Sequence, residues 1–193
     1  MKWLFFLILY TIISTVGLSQ GSKKKIRQFV NAVIPDSDSI AYVSNSLSSY
    51  AIKEIIDELK EDTLKNSFDY NKSDEINIFI PSNKERNKIN KALRKLSGFR
   101  WSKKYFHNMK IIGRDSLDFI FKDRKNLGWN YFHKEYGEGY YSFSKPIFFR
   151  KNTISIFYSS YNCGGLCGGG QLDLYRKIND QWQLYFTLYM WIS

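Results

Sequence analysis

"QWQLYFTLYMWI", residues 181–192, alternates strictly between two kinds of side chain. Trp182, Leu184, Phe186, Leu188 and Met190 fall on one side, and Gln183, Tyr185, Thr187, Tyr189 and Trp191 on the other. A period of two marks a β-strand with one face in a core and one face polar and aromatic. Upstream, "QLDLYRKI" (171–178), "TISIFYSSY" (153–161) and "GYYSFSKPIFF" (139–149) have the same character. They are joined by "ND" (179–180), the glycine-rich "NCGGLCGGG" (162–170) and "RKN" (150–152). Connections this short place consecutive strands antiparallel, so the C-terminal part is expected to be a four-stranded β-meander.

Toward the N-terminus the period lengthens. Ile52, Ile55, Ile56 and Leu59 recur at i, i+3, i+4 and i+7, a helical stripe whose other face carries Glu54, Asp57, Glu58, Glu61 and Asp62. A serine cluster at 46, 48 and 49 offers an N-cap for this helix. "INIFI" (76–80) is a strand candidate ending at Pro81. Ser82 and Glu85 then form a capping box for a second helix with an apolar stripe of Ile89, Ala92, Leu93 and Leu96, ended by Gly98. "MKIIG" and "LDFIF" look like two more short strands, and "KDRKNLGWNYFHKEYG" (122–137) like a third helix. The expected class is α+β: N-terminal amphipathic helices packed on an antiparallel sheet, with the meander at its end.

Residues 1–19 have the layout of a signal peptide. Lys2 is the positive region, Trp3 to Val16 is mostly apolar, and Gly17 and Ser19 supply small residues for cleavage after Ser19. The apolar run is short against the roughly 20 residues that span a bilayer, which favours cleavage over an anchor. Residues 20–45 read as a polar lead-in with one or two short ordered pieces, "KKKIR" at 23–27 as an exposed arm, and 46–193 as one domain. The expected location is outside the cytoplasm, in a periplasm or secreted.

Cys163 and Cys167 are the two cysteines of the chain. Even parity, an oxidising compartment and freely turning glycines point to a disulfide between them. The alternative is thiol chemistry, with Cys167 as nucleophile and His133 or His107 as its base. The spacing is not the CxxC of thioredoxin-like sites, no second cysteine pair completes a zinc set, and CxxCH is absent. No cofactor or metal is called for, and no acid–base pair or triad stands out.

The formal charge is +11, falling to +10 once Lys2 leaves. In the helix after Ser82, Lys84, Lys88, Lys91 and Lys95 advance by four, three and four residues and share one face. Outside the cytoplasm such a face suits an anionic glycan, a lipid surface or an acidic envelope protein, and nucleic acid is not expected. The acidic first helix offers the competing partner, inside the molecule.

"GWNYFHKEYG", "YSFSKPIFF", "CGGLCGGG" and "NDQWQLYFTLYMWIS" together resemble a pattern of uncharacterised small exported bacterial proteins. The resemblance covers residues 128–193 and implies an α+β domain ending in an antiparallel sheet. It implies no activity. The expected function is therefore a noncatalytic exported binding or cell-envelope accessory domain with a disulfide-stapled loop. An envelope hydrolase or thiol oxidoreductase using the Cys163/Cys167 loop is the alternative.

Overall fold

Strand β8 (Gly168–Ile178) pairs antiparallel with β7 (Ile154–Asn162) on one side and β9 (Gln181–Ile192) on the other, as the alternating pattern requires. These coordinates are a computed structural model, which describes residues 21–34, 41–67, 78–123, 125 and 127–193. The leader 1–19 lies outside the described residues. Strands β1 (Ala41–Ser44), β4 (Met109–Ile112), β5 (Tyr140–Phe143) and β6 (Ile147–Phe149) complete a seven-stranded sheet in the order β4-β1-β5-β7-β8-β9, with β6 beside β7. β1 runs parallel to both β4 and β5, so the sheet is mixed and the class is α+β. β2 (Leu64–Lys65) and β3 (Ile78–Phe79) form a separate antiparallel pair.

One expected strand divides in two. The segment 139–149 breaks at Ser144–Pro146, because proline has no N–H for the ladder. Ser144 spans the break: its amide donates to Tyr158 O at 3.0 Å, and its Oγ accepts from Tyr158 N at 2.9 Å.

The segment read as a polar lead-in requires correction. Residues 21–33 form helix α1, and Ala41–Ser44 is an interior strand of the sheet. Ile26, Phe29, Val30 and Val33 stand at i, i+3, i+4 and i+7, and the first three are buried. "KKKIR" is the flank of a docked helix rather than a free arm. Phe29 meets Phe148, Phe157, Tyr175 and Trp182 edge-on, with ring centroids 5.0–5.4 Å apart.

The opposite face is aliphatic. There α2 (Ser49–Leu59) and α3 (Asn83–Leu93) lay Ile55, Leu59, Ile89 and Leu93 on Ile154, Ile156, Leu172 and Leu174. Ser48 caps α2 by accepting from Ala51 N, and the Ser82–Glu85 capping box of α3 is complete. Phe157 faces α1 while its neighbours Ile156 and Tyr158 face α2, which puts the two clusters on opposite sides of β7.

"LDFIF" is a helix, not a strand. It lies in α4 (Arg114–Lys122), where Leu117, Ile120 and Phe121 fall on one side at i, i+3 and i+4. Arg114 Nε and Asp118 Oδ1 bridge one turn of it at 2.9 Å. α5 (Gly128–Glu135) follows, and Gly137 (φ 105°) closes its C-terminal end with a positive φ. Phe132 of α5 and Leu117 of α4 close a third cluster against Tyr140.

The alternation of β9 also fails in part. Its register to β8 shifts between Leu172 and Asp173 and again between Leu174 and Tyr175. Each bulge resets which face a side chain takes. Phe186 and Leu188 are buried as expected, but Leu184 is 51% exposed and Ile192 77%. Trp182 turns to the α1 side and packs on Phe29. The outer edge of β9 is covered at its middle, where Ser67 N donates to Thr187 O at 2.9 Å and Ser67 Oγ to Leu188 O.

Candidate functional site

The cysteine loop closes the β7–β8 hairpin. Cys163 and Cys167 form a disulfide with Cα atoms 5.2 Å apart, within the span such a bridge allows. Cys163 N also donates to Cys167 O at 3.1 Å. His133 is exposed, and its Nε2 lies 3.0 Å from the carbonyl oxygen of Cys163. It reaches the backbone of the loop, not a sulfur. His107 is exposed ahead of β4. With both sulfurs in one bond neither is a thiolate, so a Cys167 nucleophile has no support here. Among the described residues no group of three His, Cys, Asp or Glu side chains is placed to hold a metal ion.

The polar-aromatic side of β9 is not an open platform. Tyr185, Tyr189 and Trp191 are all half-buried. The Arg176 guanidinium lies 4.6 Å from the ring centre of Tyr185. Burial and a hydrogen bond to Glu54 of α2 push the Tyr189 hydroxyl well up. Trp191 Nε1 donates to Tyr158 OH at 3.0 Å, and its indole lies against Gly170, where a Cβ would strike the ring.

Lys84, Lys88, Lys91 and Lys95 are all exposed, and among the described residues none has an ion pair. The acidic helix does not take them up. Its Asp57 bonds Lys53 and Lys60 of the same segment at 2.9 and 3.1 Å, and those bonds hold its carboxyl below the usual range. α3 touches α2 through Arg86, whose Nη1 donates to Leu59 O at 2.8 Å. Its first turn touches the β6–β7 turn through Glu85, bound to Arg150 Nε at 2.9 Å.

That turn borders a feature with no continuous signature in the sequence. A groove of about 900 Å³ runs between α1 and the ends of β7, β8 and β9. Lys24 and Lys25 line it from α1, Lys151 and Asn152 from the β6–β7 turn, and Lys177 and Trp182 from the last hairpin. Docking of Phe29 sets α1 down with its lysine flank along this edge. Arg150, Lys151 and Asn152 are all left-handed (φ 48°, 54° and 67°), a conformation costing of order 1–3 kcal/mol per residue. It is held by the Glu85 ion pair, by Arg150 lying 4.4 Å from the centre of the Phe79 ring, and by Thr153 Oγ1 donating to Arg150 O at 2.7 Å. Asn179 and Asp180, with positive φ at both, make the two-residue turn of the next hairpin.

Positive charge predominates in the groove. Asp180 is the single carboxylate lining it, and its oxygen bonds Lys177 Nζ at 2.8 Å. Lys24, Lys25 and Lys151 have no ion pair among the described residues. Like charges gathered in a concave, partly apolar site focus a field that concentrates anions.

Among the described residues no helix is long and apolar enough to cross a membrane. Comparison of the chain with protein-family models, with characterised proteins and with solved structures finds no match.

Proposed function

We propose that this chain is an exported, noncatalytic binding domain that holds a segment of an acidic polysaccharide in the groove beside α1. The observation that carries this is the lining of the groove: four lysines against one aspartate already bound to one of them. A concave site favours a flexible chain over a flat bilayer, since a chain can lie along the groove and meet lysines from three segments. Trp182, half-buried at the wall, offers an apolar edge to a sugar ring. Export rests on the leader pattern of residues 1–19, the disulfide and the resemblance to small exported bacterial proteins.

Titration of residues 20–193 with polygalacturonate and with neutral dextran tests this. Saturable binding of polygalacturonate that weakens steeply as salt rises is expected, with none to dextran. Equal binding of both polymers, or of neither at low salt, refutes it.

A second reading has its own observation. Lys84, Lys88 and Lys91 of α3, and Lys95 in the turn after it, are exposed and unclaimed by the acidic helix, so that side can meet an anionic surface, each charge adding up to ~1 kcal/mol. It lies on the α3 side of the sheet, and its lysines are not among those that line the groove, so the two sets are separable by mutation.

A further inference from the structure

A second pocket opens on the face opposite the groove. Its volume is about 350 Å³, and it lies between the first turn of α2, the start of α4 and strands β5, β7 and β9. Tyr50, Arg114, Tyr140, Ser142, Asn162 and Trp191 are among the residues that line it. The register explains why polar groups collect there. Tyr140 stands opposite Asn162 and Ser142 opposite Ser160, so all four side chains rise from one face of the β5–β7 pair.

Two of these groups are unusual. Tyr140 is 8% exposed and Ser142 6%, and what each leaves uncovered lines the pocket. A ligand in the pocket meets these two hydroxyl-bearing side chains. Arg114 stands beside them. Its amide donates to Asn45 Oδ1 at 3.0 Å and its Nε to Asp118 at 2.9 Å, which leaves both terminal nitrogens for another acceptor. The far wall is fixed by Trp191, bonded to Tyr158.

We propose that this pocket binds a small hydroxylated carboxylate, of the size of a single uronic acid. The Arg114 terminal nitrogens and the Tyr140 and Ser142 hydroxyls are donors in its lining, and such a set suits a planar acceptor-only group. Burial pushes the Tyr140 and Tyr158 hydroxyls up, so both stay protonated at neutral pH. The nearby acids are engaged, Asp118 with Arg114 and Glu54 with Tyr189. Asn162 and the Trp191 indole are left for the hydroxyls and the ring of the ligand.

The test is calorimetric titration of residues 20–193 with glucuronate, glucose and inorganic phosphate. It uses wild type, Tyr140→Phe, Ser142→Ala and a groove control in which Lys24, Lys25 and Lys151 become Gln. Saturable glucuronate binding is expected, weakened about tenfold in each pocket variant and unchanged in the groove control. Absence of glucuronate binding to wild type overturns the proposal. So does equal affinity for glucose or phosphate, or a glucuronate affinity that follows the groove lysines instead of Tyr140 and Ser142. If Tyr140→Phe fails to fold, Ser142→Ala decides alone. Loss here leaves the polysaccharide groove standing, because that site is read on the other face with a polymer.

Discussion

The two faces of the sheet are built on different chemistry. The α2–α3 face is aliphatic, with Ile55, Leu59, Ile89 and Leu93 on Ile154, Ile156 and Leu174. The α1 face is aromatic and centred on Phe29, with Phe157, Tyr175 and Trp182 around it. The aliphatic face takes helices whose apolar stripes are plain. The aromatic face lets one helix with few apolar residues dock firmly, because each ring buries 150–250 Å². That frees the rest of α1 to be lysine-rich and to line a groove. The side chains that dock α1 and the lysines it contributes to the groove lie in the same thirteen residues, 21–33.

The largest expected effect tests whether α1 belongs to the cooperative core. Phe29→Ala should cost about 3–5 kcal/mol in urea unfolding, as much as or more than Leu59→Ala on the other face, at about 2–5 kcal/mol. A Phe29→Ala loss below ~1 kcal/mol beside a full Leu59→Ala loss would detach α1 from the fold. Replacing Cys163 and Cys167 together by Ser should cost about 2 kcal/mol or less, since the bridged loop is short. Iodoacetamide should leave the native, unreduced protein unlabelled. Smaller again is the α3 cap: Ser82→Ala should cost about 1 kcal/mol, read as a shift of the urea midpoint.

Two carboxylates on opposite faces should give pH effects of opposite sign. Burial pulls the Glu85 carboxyl up, but the Ser82 amide and Arg150 together hold it below its ordinary 4.5. Its contribution is therefore complete above that value and is lost as pH falls through the depressed one. Glu85→Gln should remove that acid-side loss. Asp173, fully buried among Gln171, Tyr175 and Thr187, is pushed above its ordinary 3.8 by burial, against those hydrogen bonds. Its contribution is complete below 3.8 and declines as pH rises through the raised value. Wild type should thus lose stability relative to Asp173→Asn as pH rises through mildly acid values. Urea unfolding from pH 3 to 7 reads both, and slopes of the same sign would contradict the assignment of their environments.

Much of this fold is legible from residue pattern alone. The meander follows from the period of two and the short links, α2 and α3 from their stripes and caps, and the disulfide from parity and glycine. What escapes does so for physical reasons. Ile26, Phe29, Val30 and Val33 carry a complete helical stripe, but Lys23, Lys24, Lys25 and Arg27 crowd it and make the segment look like a tail. "LDFIF" satisfies both periods over five residues, and only the Gly113 start and the Arg114–Asp118 pair distinguish helix from strand. In β9 the bulges reset the faces, which no residue type in the strand announces. The groove was invisible because Lys24, Lys151 and Lys177 lie far apart in sequence and meet only through Phe29 docking and two left-handed turns. The lysines at 84, 88, 91 and 95 were easy to find because one short segment carries them all, although α3 ends at Leu93 and leaves Lys95 in the turn that follows.

That contrast sets the decisive measurement, a direct comparison of the two basic regions. Binding of polygalacturonate at low salt is compared for wild type, for Lys24, Lys25, Lys151 and Lys177 all changed to Gln, and for Lys84, Lys88, Lys91 and Lys95 all changed to Gln. Each set removes four charges, so a purely nonspecific attraction falls equally in both. The groove account predicts that the first set loses at least tenfold in affinity, while the α3 set keeps affinity within about twofold and stability within ~0.5 kcal/mol. Equal losses in the two sets, or the larger loss in the α3 set, would contradict it.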